Sequence, residues 1–587
     1  MNTLKRKVKA NWEVLLLLLL PILLLLISQT WIFNPINTID PWIYFGYFIR
    51  LKQYLTAFPE AYYGTRLSWI LPGHLAYSLF SPLVANYVLH LGLYYIATIS
   101  LYLVLKPSVG RRAAFLTSAL MGCYSLFLAA IGWNYVDGAG ITYFLLTVLM
   151  LSWAARKKSW TTWMLLSGIF FGALIYTNLV WLAFAPSLIT YYFLINRPHR
   201  IQRTFISVAA SVVGILAITL FLCSVNYAMV GKFFFFMPSV NYALGSGGQP
   251  NPLKIDLHEW VFRANWLFLP LTVLLGSAIT LALSKFRKSF EQSDAVPFQA
   301  LFIVGFLGMV FLEARVTYVL QLTYYASYLM PSTFLAIGAS LKPLTALSLG
   351  SFASVATFAL ILIISPVVSA YIFDDRLILV SDDQPITLCL LFLAAILFSV
   401  ASNFNQKKVG SVLAILLLTI SASISFDQGW TINQSVKQLQ ANAVTLKAAI
   451  DRHLTVSSVQ KRFRKIDPTV SLLFWYSLEE SEVYRSIASA SLWGYRFISE
   501  DFPSLQGYGI SSSTSLSPQK LSELKTRFTT SSKIAIFSQQ KDVLQQAINS
   551  LKTVGFTAKS IATYPIKQDT IALTITIIEV SKLKDTL

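Results

Sequence analysis

The chain reads as a mainly α-helical, polytopic membrane protein that ends in a smaller α/β domain. Of its 587 residues, 55% are hydrophobic and only 12% are charged. Many apolar runs are long enough to cross the roughly 30 Å of a hydrocarbon layer. After Phe426 the pattern changes, and short β-like runs alternate with polar stretches. The net charge of +20 does not point to nucleic acid, because the basic residues mostly sit in short clusters between apolar runs, where they act as topology signals. Cys123, Cys223 and Cys389 all fall within apolar runs, so the tail has no thiol from which to build a disulfide or a thiolate metal site.

Lys5, Arg6, Lys7 and Lys9 precede a Leu-rich run that no convincing small-residue cleavage site follows. This predicts a retained signal anchor with a cytoplasmic N-terminus. Further basic clusters mark the same side: Lys106 with Arg111 and Arg112, residues 156–158, Arg197 with Arg200 and Arg203, Lys285 with Arg287 and Lys288, Lys342, and Lys407 with Lys408. The chain must go out and return between successive clusters, which gives about thirteen transmembrane helices. They are expected to begin near Val14, Leu83, Ala113, Ile141, Thr162, Leu182, Thr204, Asn265, Phe298, Thr323, Ala346, Ile386 and Val409. An odd number puts the tail outside. Residues 1–426 are thus a transmembrane domain with a long first external loop at 34–82, and 427–587 an extracytoplasmic soluble α/β domain. In the tail, strands are expected at 470–475, 533–537, 558–562 and 571–580, and helices at 434–453 and 543–554, the latter ending near a Gly.

The loop at 34–82 is too long and too aromatic for a passive connector. Trp42, Ile43, Phe45, Phe48, Leu51, Leu55 and Phe58 recur at helical spacing, with Arg50, Lys52 and Gln53 on another face. That pattern suits a helix lying in the membrane interface. The loop also carries Asp40, Glu60, Arg66 and His74. Other external connectors at 132–138, 226–262, 313–318 and 371–385 bring Asp137 and Arg315 to the same side, as one shared cavity would require.

Each candidate has two readings. Asp40 is a general base for an acceptor hydroxyl, or an N-cap ahead of Pro41. Asp137 is a second site acid, positioning the acceptor or holding a cation, or else a turn residue before Gly138. Two carboxylates do not specify a metal, so Mg or Mn is left open. Arg66 and Arg315 suit phosphate oxygens through the planar guanidinium fork. Their alternatives are interfacial snorkelling for Arg66 and a local pair with Glu313 for Arg315. Tyr62, Tyr63 and Trp69 either stack on a sugar or belong to an interfacial aromatic belt. His74 reads as a hydrogen-bonded structural residue or a substrate contact. Asp40 and Asp137 form the candidate catalytic set; Arg66, Arg315, Tyr44, Trp69 and His74 form the substrate-binding set.

The arrangement resembles the GT-C class of polytopic glycosyltransferases, close to the protein-mannosyltransferase and aminoarabinose-transferase type (family 39-like). Asp40 in IDPWIYFGYF matches the first acid of that class's Asp-Glu pair, with Pro41 in place of the Glu. Arg66 in TRLSWILPGHLAYSLF looks like the basic residue of its Lys/Arg-Pro-Pro-Leu segment, here without the two prolines. Asp137 in WNYVDGAGITYFLLTVL looks like its second loop acid, and YYASYLMP at 324–331 is similar to its Tyr-Leu-Leu-Pro segment. The resemblance implies a donor sugar on a polyprenyl phosphate and a lipid, glycan or protein acceptor. It also implies inversion at a hexosyl or pentosyl carbon, at the outer face of a bacterial plasma membrane. Asp40 would deprotonate the acceptor, and Arg66, with Arg315, would steady the leaving phosphate. The rival readings are a transporter or lipid flippase with a partner-binding tail, or a non-catalytic scaffold. A transporter predicts paired, broken helices in two related halves.

Overall fold

The computed structural model describes residues 12–27, 39–57, 61–132, 135–196, 201–245, 267–286, 295–316, 319–320 and 323–341. In the tail it describes 473–477, 506–510, 533–538, 544–545, 548–549, 551–552, 555–568 and 571–582. The helices are α1 (Trp12–Ile27), α2 (Ile39–Ile49), α3 (Leu51–Ala57), α4 (Leu67–Leu79), α5 (Pro82–Val109), α6 (Arg111–Cys123), α7 (Ser125–Gly132) and α8 (Val136–Arg156). They continue as α9 (Trp160–Ile175), α10 (Ala185–Ile195), α11 (Ile201–Val230), α12 (Met237–Gly245), α13 (Phe268–Phe286), α14 (Val296–Val316), α15 (Thr323–Ala326) and α16 (Met330–Ser340). Short 3₁₀ turns lie at Tyr62–Thr65, Leu179–Phe184 and Ser327–Leu329.

The expected polytopic helical architecture is borne out. Spans expected near Val14 through Thr323 each find a helix beginning within a few residues. Those near Ala346, Ile386 and Val409 lie outside the described residues, as does the boundary expected at 426/427. Among the described residues, four helical stretches are long and apolar enough to cross a membrane: Val84–Val109, Val136–Arg156, Ile201–Val230 and Val296–Arg315. The chain is a membrane protein. One expectation changes in form. The run from Ala113 is not one straight span, because α6 and α7 meet at 64°. The break falls at Tyr124, whose backbone is extended (φ −73, ψ 127).

The chain divides into two compact units, Met1–Asn34 with Arg66–Val436, and Pro35–Thr65 with Lys437–Leu587. In the first, α16 is buried along its whole length and packs against α5, α6, α13 and α14. Gly338 permits this, since a Cβ there would collide with Leu105 and approach Thr117. The α9–α11 crossing is closer still. A Cβ on Gly168 would collide with the carbonyl of Ser211, and one on Gly214 with that of Leu165. Small residues at such crossings let membrane helices touch backbone to backbone. An ion pair, Arg111 Nη2 to Glu13 Oε2 at 2.5 Å, ties α1 to the start of α6, with Glu13 buried.

In the second unit, α2 and α3 bury Ile43, Tyr44, Tyr47, Phe48, Leu51, Tyr54 and Leu55, and leave Lys52 and Gln53 exposed. The amphipathic pattern expected for the loop is present. Burial and the neighbouring Tyr44 phenol push the Tyr47 hydroxyl above its ordinary range. In the tail, β1 (Leu473–Ser477) pairs in parallel with β2 (Gln506–Ile510), while β3 (Lys533–Ser538), β5 (Ile571–Lys582) and β4 (Phe556–Gln568) form an antiparallel sheet in that spatial order. Thr576, Ile578 and Val580 alternate as the buried face of β5. Pro565 sits on β4, an edge of this sheet, the kind of strand to which proline is usually confined. Gly555 takes φ 84 just before β4, as the expected Gly at a helix end requires.

Candidate active site

Four segments of the first unit converge at one end of α8. Arg66 stands immediately before α4, and its carbonyl accepts from the amides of Trp69 and Ile70 as the helix begins. The residue is buried, 7% exposed, and its Cζ lies 5.2 Å from the centroid of the Tyr135 ring. A snorkelling arginine would reach water, so this one is held for another reason. The Tyr143 hydroxyl, donating to the Ser68 carbonyl at 2.9 Å, fixes the start of α4 against α8.

Asp137 lies in the first turn of α8 and is completely buried. A carboxylate there suits the positive end of the helix dipole. Gly138 beside it is not a turn glycine but a contact glycine: a Cβ would sit 2.8 Å from the Ala130 carbonyl oxygen and 3.1 Å from Ile131 Cα. The same turn is tied to α5 by Thr142, whose hydroxyl lies 3.3 Å from the Leu93 carbonyl and 2.8 Å from that of Gly138.

Tyr328 is where the segments meet. It is fully buried in the 3₁₀ turn before α16, which opens with Pro331 at a favoured early position. Asp137 and Arg66 both lie within electrostatic reach of its hydroxyl. Asn178 donates to that hydroxyl through Nδ2 at 3.1 Å, while its Oδ1 accepts from the Val180 amide at 3.1 Å and so caps the turn Leu179–Phe184. Trp181 stacks on the Tyr328 ring at 4.4 Å and 14°, with Phe144 stacked at 5.6 Å. A buried guanidinium and a buried carboxylate are stable only when each is compensated, and here they share one polar centre walled by aromatic rings.

The sequence-derived candidates fare differently. Arg66 and Asp137 come together. Trp69 is fully buried, with its ring 6.2 Å from that of His90, rather than lying in an open belt. His74 sits two turns along α4, half-buried. Arg315, in the last turn of α14, is exposed, and its Cζ lies 5.7 Å from the Phe311 ring of its own helix. Glu313 accepts from the Leu320 amide at 2.7 Å. Asp40 occupies the first turn of α2, and its side chain lies outside the described residues. Tyr44 is buried in the second unit, edge-on to Tyr63 at 5.8 Å. Tyr328, Asn178 and Trp181 were not singled out as site residues in the sequence. Among the described residues, no three His, Cys, Asp or Glu gather to hold a metal ion. Asp137 by itself does not fit a Mg or Mn site, which wants several oxygens.

Residues 69–225 match the family model described as dolichyl-phosphate-mannose-protein mannosyltransferase. The resemblance seen in the sequence is borne out over that stretch, which carries His90, Asp137, Asn178 and Trp181. Among solved structures, ArnT from Cupriavidus metallidurans in the apo state is similar with a TM-score of 0.43 and 12% identity, covering 95% of this chain and 97% of that one. ArnT bound to undecaprenyl phosphate gives 0.39 and 14%, covering 86% and 87%. The apo oligosaccharyltransferase of Archaeoglobus fulgidus gives 0.40 and 12%, covering 89% and 69%. No curated protein matches the chain in sequence.

The aromatic wall is tightly seated. A Cβ on Gly140 would collide with Trp181 Nε1 and come within 2.8 Å of Cε2. Gly140→Ala is therefore expected to lower stability by about 1–3 kcal/mol, the usual cost of overpacking. Thermal unfolding in detergent checks this against Gly92→Ala, where a Cβ would meet nothing within 4 Å.

Proposed function

We propose that the protein transfers a sugar from a polyprenyl-phosphate carrier to an acceptor hydroxyl at the extracytoplasmic face of the membrane. The burial of Arg66 and Asp137 around the Tyr328 hydroxyl carries this reading. Position supports it. Asp137 and Arg156 stand at opposite ends of α8, about 30 Å apart at 1.5 Å per residue. At the Arg156 end, Arg156 bonds to Ser108 at 3.0 Å and Arg203 to the Ala154 carbonyl at 3.3 Å. The basic end is the cytoplasmic one under the positive-inside rule, so Arg66 and Asp137 fall outside.

In the proposed reaction the acceptor oxygen attacks the anomeric carbon, and the bond from that carbon to the phosphate oxygen breaks. Asp40 takes the acceptor's proton, and polyprenyl phosphate leaves with the bonding electrons. Arg66 stabilises the charge that develops on the phosphate. Asp137 orients the guanidinium and the acceptor through the polar centre at Tyr328. The carrier's long apolar tail is the reason for doing this chemistry in a membrane.

The test is sugar release and transfer in membranes supplied with labelled polyprenyl-phosphate sugars, hexose and pentose, and with lipid, glycan and protein acceptors. Asp40→Asn is expected to lower transfer by about a hundredfold, the lower end of what a general base supplies. Full transfer by that variant would remove Asp40 from the mechanism. A flippase would move the carrier across the bilayer with the sugar–phosphate bond intact. Among the described residues one broken span is found, α6 with α7, whereas the transporter reading asks for a pair in related halves.

A further inference from the structure

α5 presents two side chains one helical turn apart, His90 and Tyr94, both fully buried. The His90 Nδ1 lies 2.5 Å from the Ile131 carbonyl oxygen, and the Tyr94 hydroxyl lies 3.2 Å from that of Gly122. Those two carbonyls belong to the last turns of α7 and α6, the two pieces of the broken span. Helix ends leave such carbonyls without a partner in their own helix, and inside a membrane each needs one from elsewhere. α5 supplies both. A carbonyl only accepts, so Nδ1 carries the imidazole proton and Nε2 is left as the acceptor. Nε2 is buried and has no hydrogen-bond partner among the described residues.

The bond at Ile131 bears on the candidate site. The chain passes from Ile131 to Tyr135 in four residues, and Tyr135 lies under Arg66. Gly138, next to Asp137, rests against Ala130 and Ile131. The segment that His90 holds is therefore the one on which the first turn of α8 is seated.

We propose that His90 is a positioning residue: by donating Nδ1–H to the Ile131 carbonyl it sets the end of α7, and through it the placement of Asp137 and Tyr135 beside Arg66. The assignment rests on the glycosyl-transfer reading. Tyr94 performs the same office for α6 and keeps the bend at Tyr124.

Amide substitutions separate the two ring nitrogens. Asn places an N–H near Nδ1, whereas Gln places its amide near Nε2. Transfer by His90→Asn is expected to stay within about threefold of the parent, while His90→Gln and His90→Leu lose about a hundredfold in kcat with little change in KM for the carrier, as a displaced reacting group does. A second readout needs no substrate. With Val136→Cys as a reporter on the buried first residue of α8, maleimide labelling should rise in the Leu and Gln backgrounds and stay low with His or Asn. Rescue by Gln and not Asn would move the role to Nε2 and overturn the proposal. Parental kcat and labelling in His90→Leu would overturn it too. Absence of any transfer by the parent protein would sink the glycosyl-transfer reading alone, since labelling would still report whether His90 holds α7.

Discussion

Arg66→Gln is expected to lower sugar transfer by about a thousandfold, the upper range for loss of one preorganised charge-stabilising donor. Arg66 is only 7% exposed as a residue, so the field it exerts on a leaving phosphate is less weakened by water than at the surface. Gln occupies much of the same space and keeps a donor, but it loses the charge and the two-pronged fork. Arg66→Lys should recover part of the rate, because a point charge remains. The discriminating measurement is kcat with labelled carrier at saturation, together with carrier affinity. Parental kcat in Arg66→Gln would rule out the phosphate role.

Asp137→Ala is expected to cost about 3 kcal/mol of stability, the order found when one member of a buried charged set is removed. Asp137 is completely buried and acts, with Arg66, on the same Tyr328 hydroxyl. Without it the guanidinium keeps its place over the Tyr135 ring but loses a nearby carboxylate. Asp137→Asn should be milder, since it preserves the shape and one acceptor oxygen, while the other oxygen gives way to a donating NH2. Thermal unfolding in detergent reads the difference, and equal midpoints for all three proteins would contradict the argument. The double variant Arg66→Leu with Asp137→Ala should be more stable than Asp137→Ala alone, because the buried positive charge that the lost carboxylate helped to offset is then gone as well.

The helices of the first unit were legible because apolar runs bounded by basic residues obey a simple length rule. Arg66 and Asp137 were legible for a related reason: a charge at the edge of an apolar run has no casual explanation. Asn178 and Trp181 gave no such signal, and Tyr328 was marked only as the tyrosine of the YLMP segment at 328–331, with no role attached. In an apolar stretch, tyrosine and tryptophan read as core, and only the fold brings residues 178 and 328 within a hydrogen bond. Asn178 left a faint trace, since a polar residue between two apolar runs is a natural cap. The bend between α6 and α7 was hidden because proline is absent there; the nearest cue, Gly122, is small because the Tyr94 hydroxyl lies against it. In the tail, β2 escaped notice because its sequence, QGYGI, has too few β-favouring side chains.

The crossing of α9 and α11 has a mechanical consequence. With Gly168 and Gly214 meeting opposing main-chain carbonyls, neither helix can slide along the other without lifting off first. α11 meanwhile leaves Phe205, Val208, Val212, Leu216, Leu220 and Phe221 exposed. The two therefore behave as one stiff paddle with an oily outer blade, so a displacement of α11 by the surrounding acyl chains would be passed directly to α9 and the turn at Asn178 that follows it.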